Sequence, residues 1–595
     1  MMLRPQDNSV RETRKLDGLW DFAIDRDAAG RVGEWWKDRL PGAVKMAVPA
    51  SYNDILVGAE AHDHVGDVWY QRLVPVPVGW AGRRIVLRLD SATHRARVWV
   101  DDTEVAAHEG GYTPFEADVT EWARPGTTIR ITVVVDNTLT WQSIPPGIVD
   151  ESADGRRRQR YYHDFFNYSG LHRSVWLYST APARLEDLTV TTDIRGTTGV
   201  VRYHAGVAGP DRLETHATLV DPDGRTVADA VGPTAEMTVP DALLWGPGQG
   251  NLYQLQIDLR DLEGLVDRYV LPVGIRTVRV EGERFLINGN PFYFRGFGMH
   301  EDHEVRGKGH DDASMLHDFE LLRWMGANSF RTSHYPYAEE ILDHADRLGI
   351  VVIDETAAVG LNLNIGAGLF GTGPRPTFSD ETINATTQAH HLRAIEELIH
   401  RDKNHPSVVL WSVANEPESN TEASHAYFTP LFDAARRADP SRPVGFVNML
   451  LATPDVCRVT ELADVIMLNR YYGWYVEPGD LDLAERMLED ELRAWSQRYT
   501  KPIIVTEYGA DAVGGLHSLE PVPWSEEYQA ALLDSYHRVF DRTDAVVGEH
   551  VWNFADFATG PSIIRVDGNK KGVLTRNRRP KAAAHLLRKR WHDEA

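Results

Sequence analysis

Two glutamates in the C-terminal half of the chain have the surroundings expected of catalytic carboxyl groups. Glu416 belongs to the segment SVVLWSVANEP (407–417), and Glu507 belongs to PIIVTEYGAD (502–511). Each follows an apolar run that predicts a strand buried on both faces. The polar residues that come after the run therefore emerge at the C-terminal end of that strand. Two carboxyl groups that face each other can hydrolyse a glycosidic bond, because one protonates the leaving oxygen while the other attacks the sugar or activates water.

Other apolar runs of this half also end in polar or aromatic residues. A glutamate at a strand end, taken alone, is often a helix cap or a salt-bridge partner. Several such ends on one rim favour a shared catalytic site instead. The additional strand-end residues are His334, Glu355, Asn469, Trp552 and Asn553.

The elements that must position these residues alternate between strand and helix. We predict strands at 291–298, 327–334, 349–356, 407–415, 444–450, 464–472, 502–509 and 546–554, with helices between most of them, for example over 311–325, 337–347 and 386–402. Eight such units predict a TIM barrel, whose active site lies at the C-terminal ends of the strands. On this count Glu416 ends the fourth strand and Glu507 ends the seventh.

The part of the chain before about residue 275 consists of short β-type runs separated by turn signals. One set includes 18–24, 68–78, 83–90, 95–102 and 128–136, and a second set begins at about 183. This pattern is typical of β-sandwiches, the first jelly-roll-like and the second immunoglobulin-like. We therefore predict three domains: a β-sandwich over 1–182, an immunoglobulin-like β-sandwich over 183–276 and a catalytic TIM barrel over 277–595.

Composition limits the possible partners and compartments. A chain of 595 residues is too long for one core, and its net charge of −24 disfavours nucleic acids and anionic membranes as partners. Cys457 is the single cysteine, so an intrachain disulfide is impossible, which fits a reducing compartment. No secretion-type apolar region and no stretch of about 20 apolar residues is visible. We therefore expect a cytoplasmic protein.

The order of two sandwiches and a barrel, with Asn415-Glu416-Pro417 after strand four and TEYG (506–509) at strand seven, resembles glycoside hydrolase family 2. Further segments narrow the resemblance to the bacterial branch that cleaves β-glucuronides: RGKG (306–309), RTSHYPYAEE (331–340), LNRYYGWY (468–475), VWNFADF (551–557) and GNKKG (568–572). The resemblance covers nearly the whole chain and implies that the β-sandwich over 1–182 is sugar-binding-like. It implies a retaining hydrolase of small-molecule β-D-glucuronides that needs no cofactor and no metal and forms a homo-oligomer, either a tetramer or a dimer.

The resemblance also implies roles for the catalytic residues. Glu416 would be the acid/base and Glu507 the nucleophile, with carboxyl groups about 5 to 5.5 Å apart, as retaining enzymes require. Tyr471 would donate a hydrogen bond to Glu507 and help to hold it as an anion. Asn415 would hydrogen-bond the sugar 2-hydroxyl.

The same resemblance implies that residues outside the carboxyl pair select an acidic sugar. An Asn-x-Lys signature falls on Asn569 and Lys571, whose amide and ammonium would bind the C6 carboxylate by charge-assisted hydrogen bonds. Sequence context alone would allow this segment to be a solvated turn. The remaining substrate-binding residues implied are Arg565 and Tyr475 near the carboxylate, Trp552 as a platform for the sugar, and Asp164, which would reach from the first sandwich to a sugar hydroxyl.

Three other segments carry weaker signals. Gly366–Gly371 matches a dinucleotide fingerprint, but Pro374 and Pro376 follow where a helix should begin, so we interpret residues 360–380 as a long loop over the site. Its apolar candidates for contact with the aglycone are Leu361, Ile365, Leu369 and Phe370. The His300–His303 segment lacks the spacing of a metal-binding helix, and the arginines at 156–158 suggest a solvated loop.

Alternative functions remain open from the sequence. Within the same class, the chain could be a β-galacturonidase or a neutral-sugar β-glycosidase of the β-galactosidase type. From another class, it could be a catalytically inactive carbohydrate-binding protein. The presence of both glutamates argues against the inactive protein, and the presence of Lys571 argues against a neutral-sugar enzyme.

Overall fold

A computed structural model describes residues 3–153, 155–210, 212–365 and 375–593. Its first part contains β1 (Glu12–Lys15), β2 (Gly18–Ile24), β3 (Val44–Val48), β4 (Asp67–Pro75), β5 (Arg84–Leu89), β6 (Arg95–Val100), β7 (Thr103–Glu109), β8 (Phe115–Asp118), β9 (Thr128–Asp136), β10 (Gly147–Glu151), β11 (Arg157–Tyr161) and β12 (Val175–Thr180). A short helix, α1 (Ala59–His62), and 3-10 turns at Trp35–Lys37 and Val78–Trp80 connect them.

These strands form a β-sandwich. A four-stranded sheet of order β1-β12-β5-β8 packs on a six-stranded sheet of order β3-β2-β4-β9-β6-β7. Alternating residues such as Trp20, Tyr70 and Val133 face inward and form the shared core. Strand β11 pairs with β10, so the expectation of a loop at 156–158 was wrong for Arg157 and Arg158, although both side chains are exposed.

A second sandwich follows, built from β13 (Arg184–Arg195), β14 (Thr198–Ala208), β15 (Glu214–Val220), β16 (Thr226–Val231), β17 (Thr234–Val239), β18 (Tyr253–Asp261) and β19 (Gly264–Val273). Its sheets have the orders β13-β14-β17 and β16-β15-β18-β19. Leu188, Tyr203, Leu219 and Ile257 lie in the core between them.

The third part is a closed barrel of parallel strands: β23 (Phe294–Gly298), β24 (Ser329–Arg331), β25 (Val351–Glu355), β26 (Val408–Asn415), β27 (Val444–Asn448), β28 (Ile466–Asn469), β29 (Ile503–Glu507) and β30 (Val546–Val551). A small antiparallel sheet precedes it, formed by β20 (Val278–Glu281), β21 (Arg284–Ile287) and β22 (Asn290–Pro291). The predicted TIM barrel and the multidomain β plus α/β fold are thus confirmed.

The helices around the barrel are α2 (Asp312–Met325), α3 (Glu339–Leu348), α4 (Ala385–Asp402), α5 (Glu422–Ala438), α6 (Leu481–Arg498), α7 (Glu526–Phe540) and α8 (Ala582–Asp593), with a 3-10 turn at Thr460–Leu462. Their starts follow local capping chemistry. The Asp311 side chain accepts a hydrogen bond from the Ser314 N–H at the start of α2, and Asn384 with Thr387 forms a capping box at α4. Within the described ranges, no helix combines the length and the apolar character needed to cross a membrane.

The barrel strands explain why polar side chains reach its mouth. Every residue of β26 is buried, as expected for a strand covered on both faces. Strand two is shorter than the predicted 327–334, because the chain leaves the ladder after Arg331, and His334 turns its ring toward the mouth.

Candidate active site

Glu416 and Glu507 lie at the same rim of the barrel. Glu507 is the last residue of β29 and is 4% exposed, whereas Glu416 follows β26 directly and is half-buried. The Glu416 backbone has a φ of 49°, and its N–H donates to the Val447 carbonyl at 2.9 Å. A left-handed conformation at a non-glycine residue costs about 1–3 kcal/mol and typically persists at functional positions.

Glu507 is held by donors on both carboxylate oxygens. Arg331 Nη2 donates to Oε1 at 2.5 Å, and the Tyr471 hydroxyl donates to Oε2 at 2.6 Å. Burial raises the pKa of Glu507 above its ordinary value, while the Arg331 charge and the Tyr471 hydrogen bond oppose that rise. The cationic partner therefore favours Glu507 as the anion of the pair.

Glu416 has no comparable ion pair among the described residues. Its Oε1 accepts a hydrogen bond from the Asn469 amide at 3.0 Å. Burial, and then the nearby negative charge of Glu507, raise the pKa of Glu416 to about 7. The environments of the two carboxyl groups thus favour a proton on Glu416 and a charge on Glu507, which is the division needed for acid and nucleophile.

Asn469 connects the strands that carry Glu416 and Glu507. Its side-chain oxygen accepts from the Thr506 hydroxyl at 3.0 Å, which orients its amide toward Glu416 and also toward Asn415 Oδ1 at 3.3 Å. The sequence marked Asn469 as a strand-end polar residue but did not place it in the site.

A buried ion-pair network lies beneath Glu507. Arg331 Nη1 donates to Glu355 Oε1 at 2.8 Å, and His334 Nδ1 lies 2.9 Å from the same oxygen. Burial raises the pKa of Glu355, but the Arg331 charge, together with the hydrogen bonds from His334 and Ser412, outweighs burial, so the pKa of Glu355 is lowered. Trp552 stacks on His334 with ring centroids 5.0 Å apart and forms a wall of the mouth. Sequence reasoning missed Arg331, whose only signal was its place in the RTSHYPYAEE segment.

A second cluster contains the residues predicted to bind an acidic sugar. Lys571 Nζ donates to the Tyr475 hydroxyl at 2.7 Å, and Arg565 Nη2 donates to the same hydroxyl at 2.9 Å. Arg565 Nε donates to Asp164 at 3.0 Å, and the Asn569 amide donates to Asp164 at 2.9 Å. Asp164 therefore reaches from the first sandwich to the barrel and is no isolated residue of a surface turn.

The two clusters share a wall. The Tyr471 ring, whose hydroxyl donates to Glu507, lies 5.1 Å from the Tyr475 ring. Lys571 Nζ lies 5.6 Å from the centroid of the Tyr471 ring. The structure thus brings every predicted site residue into one of two adjoining clusters. It adds Asp511, which the sequence offered only as the end of PIIVTEYGAD and whose Oδ2 accepts from Lys571 Nζ at 2.5 Å.

The remaining predicted segments lie around this centre. Leu361 is fully buried and Ile365 is 43% exposed, whereas Leu369, Phe370 and the Gly366–Gly371 fingerprint lie outside the described residues. His300 Nδ1 lies 3.1 Å from the Tyr335 hydroxyl. In the described part of the chain, one group of three residues has metal-ligand spacing, and it consists of Asp343, Asp346 and His405 away from the His300–His303 segment.

Known families match successive parts of the chain. "Glycosyl hydrolases family 2, sugar binding domain" matches residues 13–181, "Glycosyl hydrolases family 2" matches 183–276, and "Glycosyl hydrolases family 2, TIM barrel domain" matches 278–594. The chain belongs to glycosyl hydrolases family 2 and is a glycoside hydrolase.

Individual relatives are similar over their full length. The chain is 51% identical over 598 residues to the beta-glucuronidase of Paenibacillus borealis, covering 100% of this chain and 99% of that protein. The solved beta-D-glucuronidase of Dictyoglomus thermophilum has a TM-score of 0.93 and 44% identity over 99% of each chain. The beta-glucuronidase of Ruminococcus gnavus in complex with uronic isofagomine has a TM-score of 0.94 and 40% identity, also over 99% of each chain.

Proposed function

We propose that this protein is a retaining β-glucuronidase, which hydrolyses β-D-glucuronides through a covalent glycosyl-enzyme intermediate. One observation carries the proposal: Lys571 Nζ lies 5.6 Å from the centroid of the Tyr471 ring, and the hydroxyl of that ring donates to Glu507. An ammonium beside the reacting carboxylates suits a sugar with an acidic group. The full-length similarity to several beta-glucuronidases supports the same assignment.

The proposed mechanism assigns one task to each carboxyl group. Glu507 attacks the anomeric carbon as Glu416 gives its proton to the leaving oxygen, so the glycosidic bond breaks and an ester to Glu507 forms. Glu416, now ionised, removes a proton from water, which attacks the anomeric carbon and releases Glu507. The carboxyl separation of about 5 to 5.5 Å stays a prediction.

Binding of the sugar is proposed for the residues around the pair. The Asn415 amide N–H groups have no acceptor within the described ranges, so they can donate to the 2-hydroxyl. Trp552 would serve as the platform for the ring, and Asp164 would accept from a sugar hydroxyl. Asn569, Lys571, Arg565 and Tyr475 would bind the C6 carboxylate.

We further propose the division into domains at 182/183 and 276/277, a cytoplasmic location and a homo-oligomeric state. No sheet shares a strand between the two sandwiches and the barrel among the described residues, which supports the division. Cys457 is buried and cannot pair within the chain, which supports a reducing compartment. The oligomer follows from the family resemblance, and size-exclusion chromatography with light scattering tests it.

Initial rates on matched chromogenic substrates test the activity. We expect the glucuronide to be hydrolysed fastest among the glucuronide, galacturonide, galactoside and glucoside of one aglycone. A faster galacturonide or neutral glycoside would replace the proposed substrate, and no turnover of any of them would favour an inactive carbohydrate-binding protein.

A further inference from the structure

Asp511 lies behind the cations proposed to bind the sugar carboxylate. Its side chain is fully buried, and its Oδ2 accepts from Lys571 Nζ at 2.5 Å and from Arg565 Nη1 at 3.5 Å. Its Oδ1 accepts from the Lys570 backbone N–H at 2.8 Å. One carboxylate thus fixes both cations and the loop that carries Asn569 and Lys571.

The charged side chains of this cluster differ in how deeply they are buried. The Lys571 side chain is 1% exposed, so removing its partner would leave an ammonium without water or a counter-ion, which is costly. The Asp511 side chain is 0% exposed and cannot leave, whereas the Asp164 side chain is 46% exposed. Two cations, Lys571 and Arg565, therefore face one fixed carboxylate, and the exposed carboxylate of Asp164 supplies the second negative charge.

We infer that Asp511 is a positioning residue that sets the selectivity for an acidic sugar, by holding Lys571 in place for one additional carboxylate. The exposed carboxylate of Asp164 accepts hydrogen bonds from Arg565 and from the Asn569 amide. A uronic-acid substrate would supply its own carboxylate to the same cations. This inference rests on the proposed function and deepens it, since Asp511 would act on the sugar through Lys571, to which it is paired.

The substitution Asp511→Asn tests the inference. Calorimetry measures the affinity of the variant for uronic isofagomine and for its neutral counterpart, isofagomine. We expect affinity for uronic isofagomine to fall by about thirtyfold or more, since truncating one partner of a buried charge pair is costly. Affinity for isofagomine should change by less than about threefold, because its binding does not use the cations. Equal losses for both ligands would indicate a purely structural role and overturn the inference.

Asp567→Asn is the matched control. Asp567 lies in the same loop, its side chain is 99% exposed, and it contacts Lys570 Nζ at 3.2 Å. Both affinities should stay at the wild-type values.

A double-mutant cycle with Lys571→Met keeps the test decisive if Asp511→Asn does not fold. The double variant has no unpaired ammonium at this position, so it avoids the main cost of the single change. In the Lys571→Met background, Asp511→Asn should weaken uronic isofagomine by less than about threefold. A further thirtyfold loss would show that Asp511 acts independently of Lys571 and would overturn the inference. If the wild type itself did not prefer the uronic ligand, the proposed function would fail instead.

Discussion

At the scale of single residues, Glu416 determines the expected pH dependence. Burial and the charge of Glu507 raise the pKa of Glu416 to about 7, and its protonated form is the acid in the proposed first step. The active form therefore exists below this pKa and disappears as pH rises through about 7. We expect kcat/KM for an aryl glucuronide, measured from pH 5 to 9, to fall on the alkaline side near pH 7.

Glu416→Gln removes the titrating proton while keeping the shape of the side chain. We expect kcat/KM for a poor leaving group to fall by about 10²–10⁴-fold, and the alkaline fall near pH 7 to vanish, because a carboxamide is no general acid. Substrates with an activated aglycone should lose less. An alkaline limb that persisted in this variant would assign it to another group.

Glu507→Ala should abolish turnover, because no carboxylate remains to form the intermediate. Azide can enter the space that is left and attack the anomeric carbon, so added azide should restore part of the rate. Glycosyl azide is then the product, and its anomeric configuration can be read by NMR. Wild-type rates in Glu507→Ala would disprove the role of nucleophile.

Lys571→Ala should weaken transition-state binding of glucuronides by about 2–4 kcal/mol, measured as kcat/KM. The substitution would remove the proposed charge-assisted contact to the sugar carboxylate, whereas a glucoside has no carboxylate and should be hydrolysed as before. A similar loss for both substrates would contradict the assignment of the carboxylate site.

Only part of this site could be predicted from the sequence. Glu416 and Glu507 were recognisable because each follows an apolar strand, which is a local pattern. Arg331 and Asp511 were not, since their roles arise from partners on distant strands and loops, namely Glu507 and Lys571. A charged residue in a motif shows neither its partner nor its burial.

At the scale of elements, the turn after β29 depends on a glycine. Gly509 has a φ of 151°, and a Cβ built there would lie 2.5 Å from the Trp552 carbonyl oxygen. Gly509→Ala should therefore displace the turn that follows Glu507 from the segment that carries Trp552. We expect a loss of stability of about 1–3 kcal/mol, together with a lower kcat, in thermal unfolding and steady-state kinetics.

Gly515→Ala separates backbone strain from the steric clash. Gly515 lies further along the same connection with a φ of 85°, and a Cβ there would meet no atom within 4 Å. Gly515→Ala should therefore lower the free energy of unfolding by only about 1 kcal/mol, the cost of placing alanine in a left-handed backbone conformation, and should leave kcat unchanged. Equal effects of the two substitutions on kcat would show that contact with Trp552 is unimportant.

Element prediction succeeded where burial was strongest. The run over 407–415 agrees with β26 (Val408–Asn415), since every residue of that strand is buried and apolar residues dominate it. The edge strand β7 (Thr103–Glu109) was not recognised, because it has no buried residue and therefore no clear alternation. Local patterns identify central strands, whereas edges are fixed by pairing with a neighbour.

At the scale of the whole molecule, the contact between the first sandwich and the barrel contains buried histidines. His94, His163 and His172 come from the sandwich and His300 from the barrel, and each has at least one ring nitrogen without a hydrogen-bond partner among the described residues. Burial lowers the pKa of all of them, that of His94 to about 4. These rings are therefore neutral in the folded protein at pH 7.

This arrangement predicts a protein that loses stability in acid. The unfolded chain has histidines of ordinary pKa and binds protons below about pH 6.5, while the folded state does not, so the unfolded state is favoured as pH falls. The contribution of these neutral histidines to the free energy of unfolding is fully present above pH 6.5. It decreases as the pH falls toward the lowered pKa values that the histidines have in the folded protein. We expect the urea concentration at the midpoint of unfolding to be lower at pH 5 than at pH 7.5.

His163→Phe isolates the histidine contribution from that of the carboxylates. Both ring nitrogens of His163 lack a hydrogen-bond partner in the described structure, and its ring packs 4.1 Å from Phe165 and 4.4 Å from Tyr161, measured between centroids. Its charged form is also disfavoured by His94, Lys308 and His334. A phenyl ring preserves the packing and cannot bind a proton.

The variant should unfold at the same urea concentration as the wild type or a higher one at pH 7.5, and its midpoint should fall less by pH 5. His517→Phe is the control, because His517 is exposed and its hydrogen bond to Glu527 raises its pKa, which gives the opposite pH dependence. That substitution should not flatten the pH dependence of the midpoint. If His163→Phe also left the pH dependence of the midpoint unchanged, the acid sensitivity would arise from the carboxylates. The buried histidines would then contribute to packing only.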